Sequence, residues 1–564
     1  MNTSLNYLNQ LDTQISSFIE KNINSTNTNL SSSNKDNRVI IFISSGPKNL
    51  RANVWNTSPL PKDLAVKKTL QHIKKIYEKK NKIPDYLKID LVHNIEELKF
   101  SDLLTMIKEE KLNNYFRSGI SFDENFSIAF LEQEIYGNAI IQGKIWDKPS
   151  EFHEEKLNQY IEKKYNIKKR EKINPKSSIY TFKSVGVFIN NSEFYELNTD
   201  YISSGIRVIK KNEKKQHLLE IIKNNANYLE SQIDPKTGKF IYGYVPAHNE
   251  KLISYNSIRH CTSLYSLLEV FEVSDDFINH DKIKAGINYT INNLIKFSDD
   301  KSSAFIIEKN KDNIEIKLGA NAAAILMFTK HQEITGSNEF LFITEKLANG
   351  IKTMIKPNGQ TIHIIDYPSL EIKEEYRVIY YDGEAALALL RLYQLNNDQD
   401  LLTTVKIMYE HFIKNDYWKY NDHWLSYCTN ELSLICPEEK YFEFGIKNYL
   451  PYLKRYKYRR TARGTFLEML MASYKMVSRL PHQKSNALFE KSKFSELCDV
   501  INTRLEYQRV IGYFYPEIAM YFKKPNIILN SFFVRQENFR TRIDDNEHNL
   551  SGYIAYYLHF KDKP

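Results

Sequence analysis

The chain has 564 residues, 42% of them hydrophobic and 26% charged, a balance that suits a globular protein with room for more than one core. Its net charge of +9, from 78 basic and 69 acidic residues, is mild and spread along the chain. This argues against the clustered basic face of a nucleic-acid binder and leaves an anionic small partner open. No stretch approaches the ~18 apolar residues that span a bilayer, and the start Met1-Asn2-Thr3-Ser4 does not read as a signal peptide. Four cysteines (Cys261, Cys428, Cys436, Cys498) stand far apart with no CxxC pair, so neither a disulfide framework nor a zinc finger is expected. The expected setting is a reducing cytoplasm. Oligomeric state leaves no trace in the sequence.

Residues 1–37 begin with an amphipathic pattern (Leu5, Leu8, Leu11, Ile15, Ile19) that is expected to dock on the body of the protein. The stretch Asn24 to Asn37, rich in Ser, Asn and Thr, has the composition of a linker. From Arg38 the character changes. Val39 to Ile43 is a continuous, mostly β-branched run and predicts a buried strand. Lys62 to Lys80 has helical spacing behind Pro61, which suits a helix start. Tyr86 to Val92 alternates as a strand, Ser101 to Lys111 and Asn125 to Ile141 read as helices, and Ser178 to Phe188 as one or two strands. Residues 38–204 are thus expected to form a small α/β domain. No phosphate loop or dinucleotide fingerprint occurs in it. Arg117 is expected to be solvated, an anion contact being the alternative. The segment Arg51 to Trp55, with Pro59-Leu60 and the helix that follows to Leu91-Val92, faintly resembles the AMMECR1 domain.

From about residue 205 the pattern becomes helical and repeats, a more polar helix, a loop and a more apolar helix each time. The pairs are 214–232 with 257–273, 281–297 with 318–334, 338–356 with 382–395, 397–415 with 422–436, 438–454 with 461–479, and 485–508 with 545–560. Repetition at roughly 50–60 residues signals a stacked or closed array of helix pairs. The count of pairs, and the long loops falling between the first and second helix, favour a closed ring over a solenoid. With short cues such as Asp234-Pro235-Lys236-Thr237-Gly238 and Tyr381-Asp382-Gly383-Glu384-Ala385, residues 205–564 resemble the (α/α)6 toroid, or six-hairpin, proteins. The expected fold is therefore mainly α, a C-terminal (α/α)6 helical toroid preceded by a small α/β domain. That resemblance implies glycoside hydrolases, uronate lyases or sugar epimerases, and more distantly terpenoid and lanthionine cyclases.

In a toroid the inner helices point their starts toward one mouth, and here those starts carry ionisable residues on otherwise apolar helices. Candidate catalytic residues are Glu384, Asp382, Asp545, His260, His423 and His548. Candidate substrate ligands are Arg259, Asn321, Tyr381, Arg463, Arg540 and Arg542. Glu468 lies a turn further into its helix. Buried charges are costly unless paired or functional. Against this, Asp382 and Asp545 also suit helix capping, Arg540 to Asp545 an ion-pair network closing the last hairpin onto the first, and each histidine a satisfied core position. Glycoside hydrolysis needs an acid and a base or nucleophile, for which Glu384 and Asp545 would serve. Epimerisation or elimination needs a base and a cation, for which His260 or His423 and Arg463 or Arg542 would serve. The arginines favour a substrate bearing carboxylate or phosphate. No cofactor or metal is expected. A Cys261–Cys428–His zinc site of the lanthionine-cyclase kind is an alternative. The expected function is a carbohydrate-active enzyme on an anionic sugar or glycan. A non-catalytic toroid binding a glycan, peptide or protein, and a peptide- or lipid-modifying enzyme, are the rivals.

Overall fold

The structure, a computed structural model, describes residues 2–23, 38–80, 84–143, 149–167, 172–190, 193–200, 202–309, 313–480 and 486–560. The Ser/Asn-rich stretch 24–37 lies outside them. The chain divides into two compact units. One comprises Met1–Glu213, Tyr244–Lys251 and Val510–Thr541, the other Lys214–Gly243, Leu252–Arg509 and Arg542–Pro564.

The first unit is built on a seven-stranded antiparallel sheet. Its path runs Asn53–Asn56, Ile41–Gly46, Tyr86–Lys99, Ser178–Asn190, Gly119–Ser121, Ala129–Phe130, with Glu193–Glu196 paired to the far edge of Ser178–Asn190. Val39 to Ile43 is apolar throughout because both faces of the sheet are covered. Ile41 and Ile43 meet Leu11, Ile15, Phe18 and Ile19 of the helix Asn2–Ile23, and Ala65 and Ile73 of the helix Lys62–Lys80. Ile40 and Phe42 face the other way, onto Phe126, Phe182, Phe188 and, from far along the chain, Met520 and Tyr521. Glu517 fixes that late segment by a buried pair with Arg207, at 2.9 Å from Nε and 2.7 Å from Nη2. Residues 510–541 therefore belong to the first unit, within the span that the sequence reading gave wholly to the toroid. The helix expected over Asn125 to Ile141 is instead the strand Ala129–Phe130, the short helix Glu132–Gly137 and the start of the strand Ile141–Gln142. Its apolar residues are buried on every side, which erases the difference between the two periods.

The second unit is the (α/α)6 toroid. The twelve helices of its hairpins are α1 (Lys214–Ser231), α2 (Ser257–Glu269), α3 (His280–Tyr289), α4 (Leu318–Thr335), α5 (Leu341–Thr353), α6 (Tyr381–Asn396), α7 (Gln399–Lys414), α8 (His423–Ile435), α9 (Glu439–Tyr449), α10 (Gly464–Val477), α11 (Phe494–Gly512, whose last three residues fall in the first unit) and α12 (Ile543–Phe560). The even-numbered helices pack in the cycle α2–α4–α6–α8–α10–α12, and α12 returns to α2, so the inner ring is closed. The outer helices show one buried stripe: on α7 it is Leu401, Leu402, Val405, Met408, Tyr409 and Phe412, behind an Asp398 N-cap. Inner helices are buried nearly all round, as in α4 from Leu318 to Lys330. Helices α4 and α6 end in left-handed residues, Gly336 (φ 69°) and Asn397 (φ 56°), which stop them cleanly. Cutting a fully buried inner residue such as Leu389 to Ala would cost about 2–5 kcal/mol. The long loops inside the second and third hairpins are not irregular. They form a five-stranded antiparallel sheet, Ile295–Phe297, Ala304–Lys309, Ile314–Lys317, Ile364–Asp366 and Ile372–Glu374 in spatial order.

Candidate active site

The starts of the inner helices gather at one end of the ring, where small residues permit close approach. A Cβ on Gly319, the second residue of α4, would stand 2.1 Å from Glu384 Oε2 of α6. One on Gly383 of α6 would stand 2.4 Å from Asp422 Oδ2, which caps α8. Asp422 accepts from the backbone N–H of Trp424 (3.0 Å) and Leu425 (3.1 Å), so α8 begins on a buried carboxyl.

His423, His548 and Glu468 meet at the centre, from α8, α12 and α10. Glu468 Oε2 lies 2.8 Å from His548 Nδ1, and Glu547 Oε1 lies 3.4 Å from its Nε2. Tyr427 donates to the other oxygen of Glu468 at 3.2 Å. The rings of His423 and His548 stand edge to face, 5.2 Å apart, and Tyr380 lies against His423 at 5.4 Å. Burial alone would depress the His548 imidazolium, but Glu468 and Glu547 outweigh it and raise it to about 10. His423 is driven by burial down to about 3, only partly offset by Glu468. Its Nδ1 lies 3.4 Å from Asp422 Oδ1, a carboxyl that burial raises well above its ordinary value. Burial, followed by the charge of Asp422, pushes Glu384 up to about 8, with His548 opposing. Both His423 Nε2 and Glu384 Oε2 are buried with no hydrogen-bond partner among the described residues. The same cause raises Glu547 to about 8. The cluster thus holds two carboxyls raised toward neutrality, Glu384 and Glu547, a neutral imidazole whose Nε2 has no partner among the described residues, and an imidazolium.

The other predicted residues take different places. His260 is satisfied within the core: Nε2 donates to the Gly286 carbonyl (3.0 Å) and Nδ1 accepts from the Tyr255 hydroxyl (2.6 Å). Asn321 bonds the Ile306 N–H (2.9 Å) and the Lys317 carbonyl (3.0 Å). Asp382 accepts from the Thr361 hydroxyl at 2.6 Å and from His363 Nε2 at 3.2 Å. His363 Nδ1 in turn accepts the N–H groups of Arg377 (2.9 Å) and Val378 (3.2 Å), so Asp382 anchors the loop ahead of α6. Asp545 accepts the Arg542 N–H at 3.0 Å at the start of α12. Arg259 and Arg542 both bind Asp544, each at 2.8 Å, tying α2 to α12. Tyr381 is buried against Glu384 and His363. Arg463 precedes α10, and its cation lowers the phenol of Tyr380, which burial raises. Arg540, expected at the start of the sixth inner helix, lies in the first unit paired with Glu537.

Glu468 and Glu547 were not among the expected catalytic residues, and His363 was not singled out at all. Glu547 had a usable signal, a carboxyl next to His548 on an apolar helix. His363 had none, standing in a loop. His423, Glu468 and His548 each present one ligand atom, all within 4.8 Å of one another, a set that could hold a divalent ion. A metal there would have to displace the proton that His548 shares with its two carboxylates. Cys261 and Cys428 are outside this group, and burial raises both thiols.

No family model matches the chain, and no curated protein matches it. Several solved structures align over the greater part of the chain. Cellobiose 2-epimerase from Bacillus thermoamylovorans B4167 is 11% identical over 62% of this chain and 100% of its own, with a TM-score of 0.47. The GH76A α-1,6-mannanase from Salegentibacter sp. HEL1_6 is 12% identical over 60% of this chain and 99% of its own, at 0.41. An unsaturated glucuronyl hydrolase specific for heparin is 8% identical over 62% of this chain and 98% of its own, at 0.42. The ring closure described above stands on the chain's own helix contacts.

Proposed function

We propose that the toroid is a carbohydrate-active enzyme that moves a proton on a sugar, as an isomerase or epimerase does. The observation that carries this reading is the convergence of His423, Glu468 and His548, one ligand atom from each within 4.8 Å, with His423 Nε2 and Glu384 Oε2 buried and unpartnered among the described residues. His423 Nε2 is the base that takes a proton from the carbon beside a carbonyl. Glu384, still protonated at neutral pH, is the acid that delivers one. The His548 cation, fixed by Glu468 and Glu547, supports the negative charge that develops on the oxygen. Hydrolysis of a glycosidic bond would instead require an ionised carboxylate beside the acid, and both Glu468 and Glu547 are turned onto His548. The rings of Tyr380 and Tyr381 offer apolar faces of the kind that pack on a pyranose. Arg463, beside Tyr380, is the residue that would extend the reading to a sugar carrying carboxylate or phosphate.

The test is incubation with neutral aldoses and ketoses, uronates and phosphorylated sugars in deuterium oxide, followed by proton NMR. Loss of the C2 proton signal, abolished in His423→Ala, is the expected result. New reducing ends from a glycan without deuterium uptake would replace this reading by a hydrolase. Binding without any turnover would replace it by a non-catalytic toroid.

A further inference from the structure

Arg117, expected to be solvated, is buried with its Nε 2.6 Å from Glu132 Oε1, a pairing internal to the first unit. The exposed tyrosines point outward instead, and to one place. Of the 38 tyrosines in the chain, four are exposed among the described residues: Tyr376 (49%), Tyr380 (40%), Tyr420 (40%) and Tyr458 (69%). Tyr376 and Tyr380 stand ahead of α6, Tyr420 ahead of α8 and Tyr458 ahead of α10. These three inner helices are neighbours in the ring. No exposed tyrosine is described on an outer helix, so the exposed phenols are segregated to the mouth. Grouped exposed aromatic surface of this kind marks a binding surface.

Two of these rings are held in place. Tyr376 follows Ile372–Glu374, the last strand of the five-stranded sheet, and His363 lies against its ring at 4.8 Å with 34° between the planes. His363 is itself fixed by Asp382 and by the N–H groups of Arg377 and Val378. Tyr420 comes up against the Tyr376 phenol from the turn Tyr417–Tyr420. That turn is tied at Lys419, whose carbonyl accepts from the Tyr452 hydroxyl at 2.8 Å, and at Asn421, which donates to the Asn448 carbonyl at 2.6 Å. Tyr417 also stacks on Phe412 of α7 at 5.0 Å. A ligand therefore meets rings that are already ordered. Tyr380 lies against His423, so the row starts at the candidate base. Stacked nucleic-acid bases would need a basic groove as well. Here Arg377 is paired with Glu374, and Lys419 with Asp416 at 2.9 Å. A pyranose suits the row better, its C–H face packing on the rings and its hydroxyls meeting the phenol oxygens.

We propose that Tyr376 and Tyr420, with Tyr458 on the next loop, form an aromatic platform for the outer units of an oligosaccharide whose reducing-end unit sits against Tyr380 and His423. The orientation rests on the proposed function, because only the reducing end of a chain carries the carbonyl beside which His423 takes a proton. The substrate is then a chain of two or more pyranose units and not a free monosaccharide.

The test is titration calorimetry of the full chain with cellotetraose, maltotetraose, mannotetraose and tetragalacturonate, each reduced with borohydride so that no carbonyl remains, beside the matching monosaccharides. At least one tetrasaccharide is expected to bind about tenfold or more tightly than its monosaccharide, and Tyr376→Ala and Tyr420→Ala are each expected to weaken it by about tenfold. Tyr376→Phe and Tyr420→Phe keep the rings and should keep most of the affinity. Phe342→Ala removes an exposed ring from the outer helix α5 and is the control. Tetrasaccharides that bind no better than monosaccharides overturn the proposal, as does an equal loss in Phe342→Ala. Should an alanine variant not fold, nitration of the natural chain by tetranitromethane decides the matter. Protection of Tyr376 and Tyr420 by the bound tetrasaccharide supports the platform, and unchanged nitration overturns it. The reduced glycans cannot react, so these outcomes stand whatever the deuterium experiment gives for the proposed function.

Discussion

Replacing Glu384 by Gln separates the cost of the mouth from its use. The side chain keeps its shape and loses its titration. In the folded protein the carboxyl is raised from 4.5 to about 8, chiefly by burial. A raised carboxyl contributes its full stability below the unfolded value and loses it as pH climbs toward the folded one. Each unit is worth about 1.4 kcal/mol, so the ceiling on this loss between pH 4.5 and 8 is roughly 5 kcal/mol. Coupling to Asp422 and His548 brings the expected figure to about 2–4 kcal/mol. Glu384→Gln removes that slope. Unfolding by urea at intervals from pH 5 to 8 should therefore show the variant close to the natural chain at pH 5 and progressively more stable toward pH 8. Turnover should fall by two orders of magnitude or more with the proton donor gone. Parallel stability curves across this range would refute the reasoning, because the carboxyl would then titrate alike in both states.

His548 gives a second linkage of the same sign. Its imidazolium is raised from 6.5 to about 10, so its contribution is intact below pH 6.5 and disappears as pH rises through 10. His548→Gln should flatten the stability profile between those limits in a urea series extended to pH 10. Gly319→Ala places a methyl group against Glu384 Oε2 and the Tyr381 ring, and should cost about 1–3 kcal/mol, with turnover falling more steeply than the melting temperature. In the first unit, Glu517→Leu strands the buried Arg207 guanidinium and should cost about 3–5 kcal/mol. Adding Arg207→Met should recover most of that loss, as read from unfolding midpoints.

The hairpins of the toroid were legible because an outer helix and an inner helix leave different apolar patterns, one stripe against apolar all round, and α7 and α4 show both cleanly. The role of Val510–Thr541 was not. Its aromatic residues, among them Tyr513, Phe514, Tyr521 and Phe533, follow neither helical nor strand spacing, and what they pack on is decided by sequence 300 or more residues earlier, as with Arg207 and Glu517. At the mouth, His260, His423 and His548 look equivalent in the sequence. They differ only through tertiary partners: a carbonyl and a phenol for His260, a capping carboxyl for His423, two carboxylates for His548. Protonation state is a property of those neighbours, so the residue types were readable and their chemistry was not.

The latch of Arg259 and Arg542 on Asp544 joins the first inner helix to the last. During synthesis, therefore, five inner helices leave the ribosome before the ring has its closing member, and that member carries His548 and Glu547. Until it arrives, α2 and α10 each present an unpaired flank, and the imidazolium is missing altogether. A chaperone that recognises exposed apolar helices has its longest opportunity in this interval. On the proposed function, activity would not develop gradually with chain length but switch on when the final helix docks.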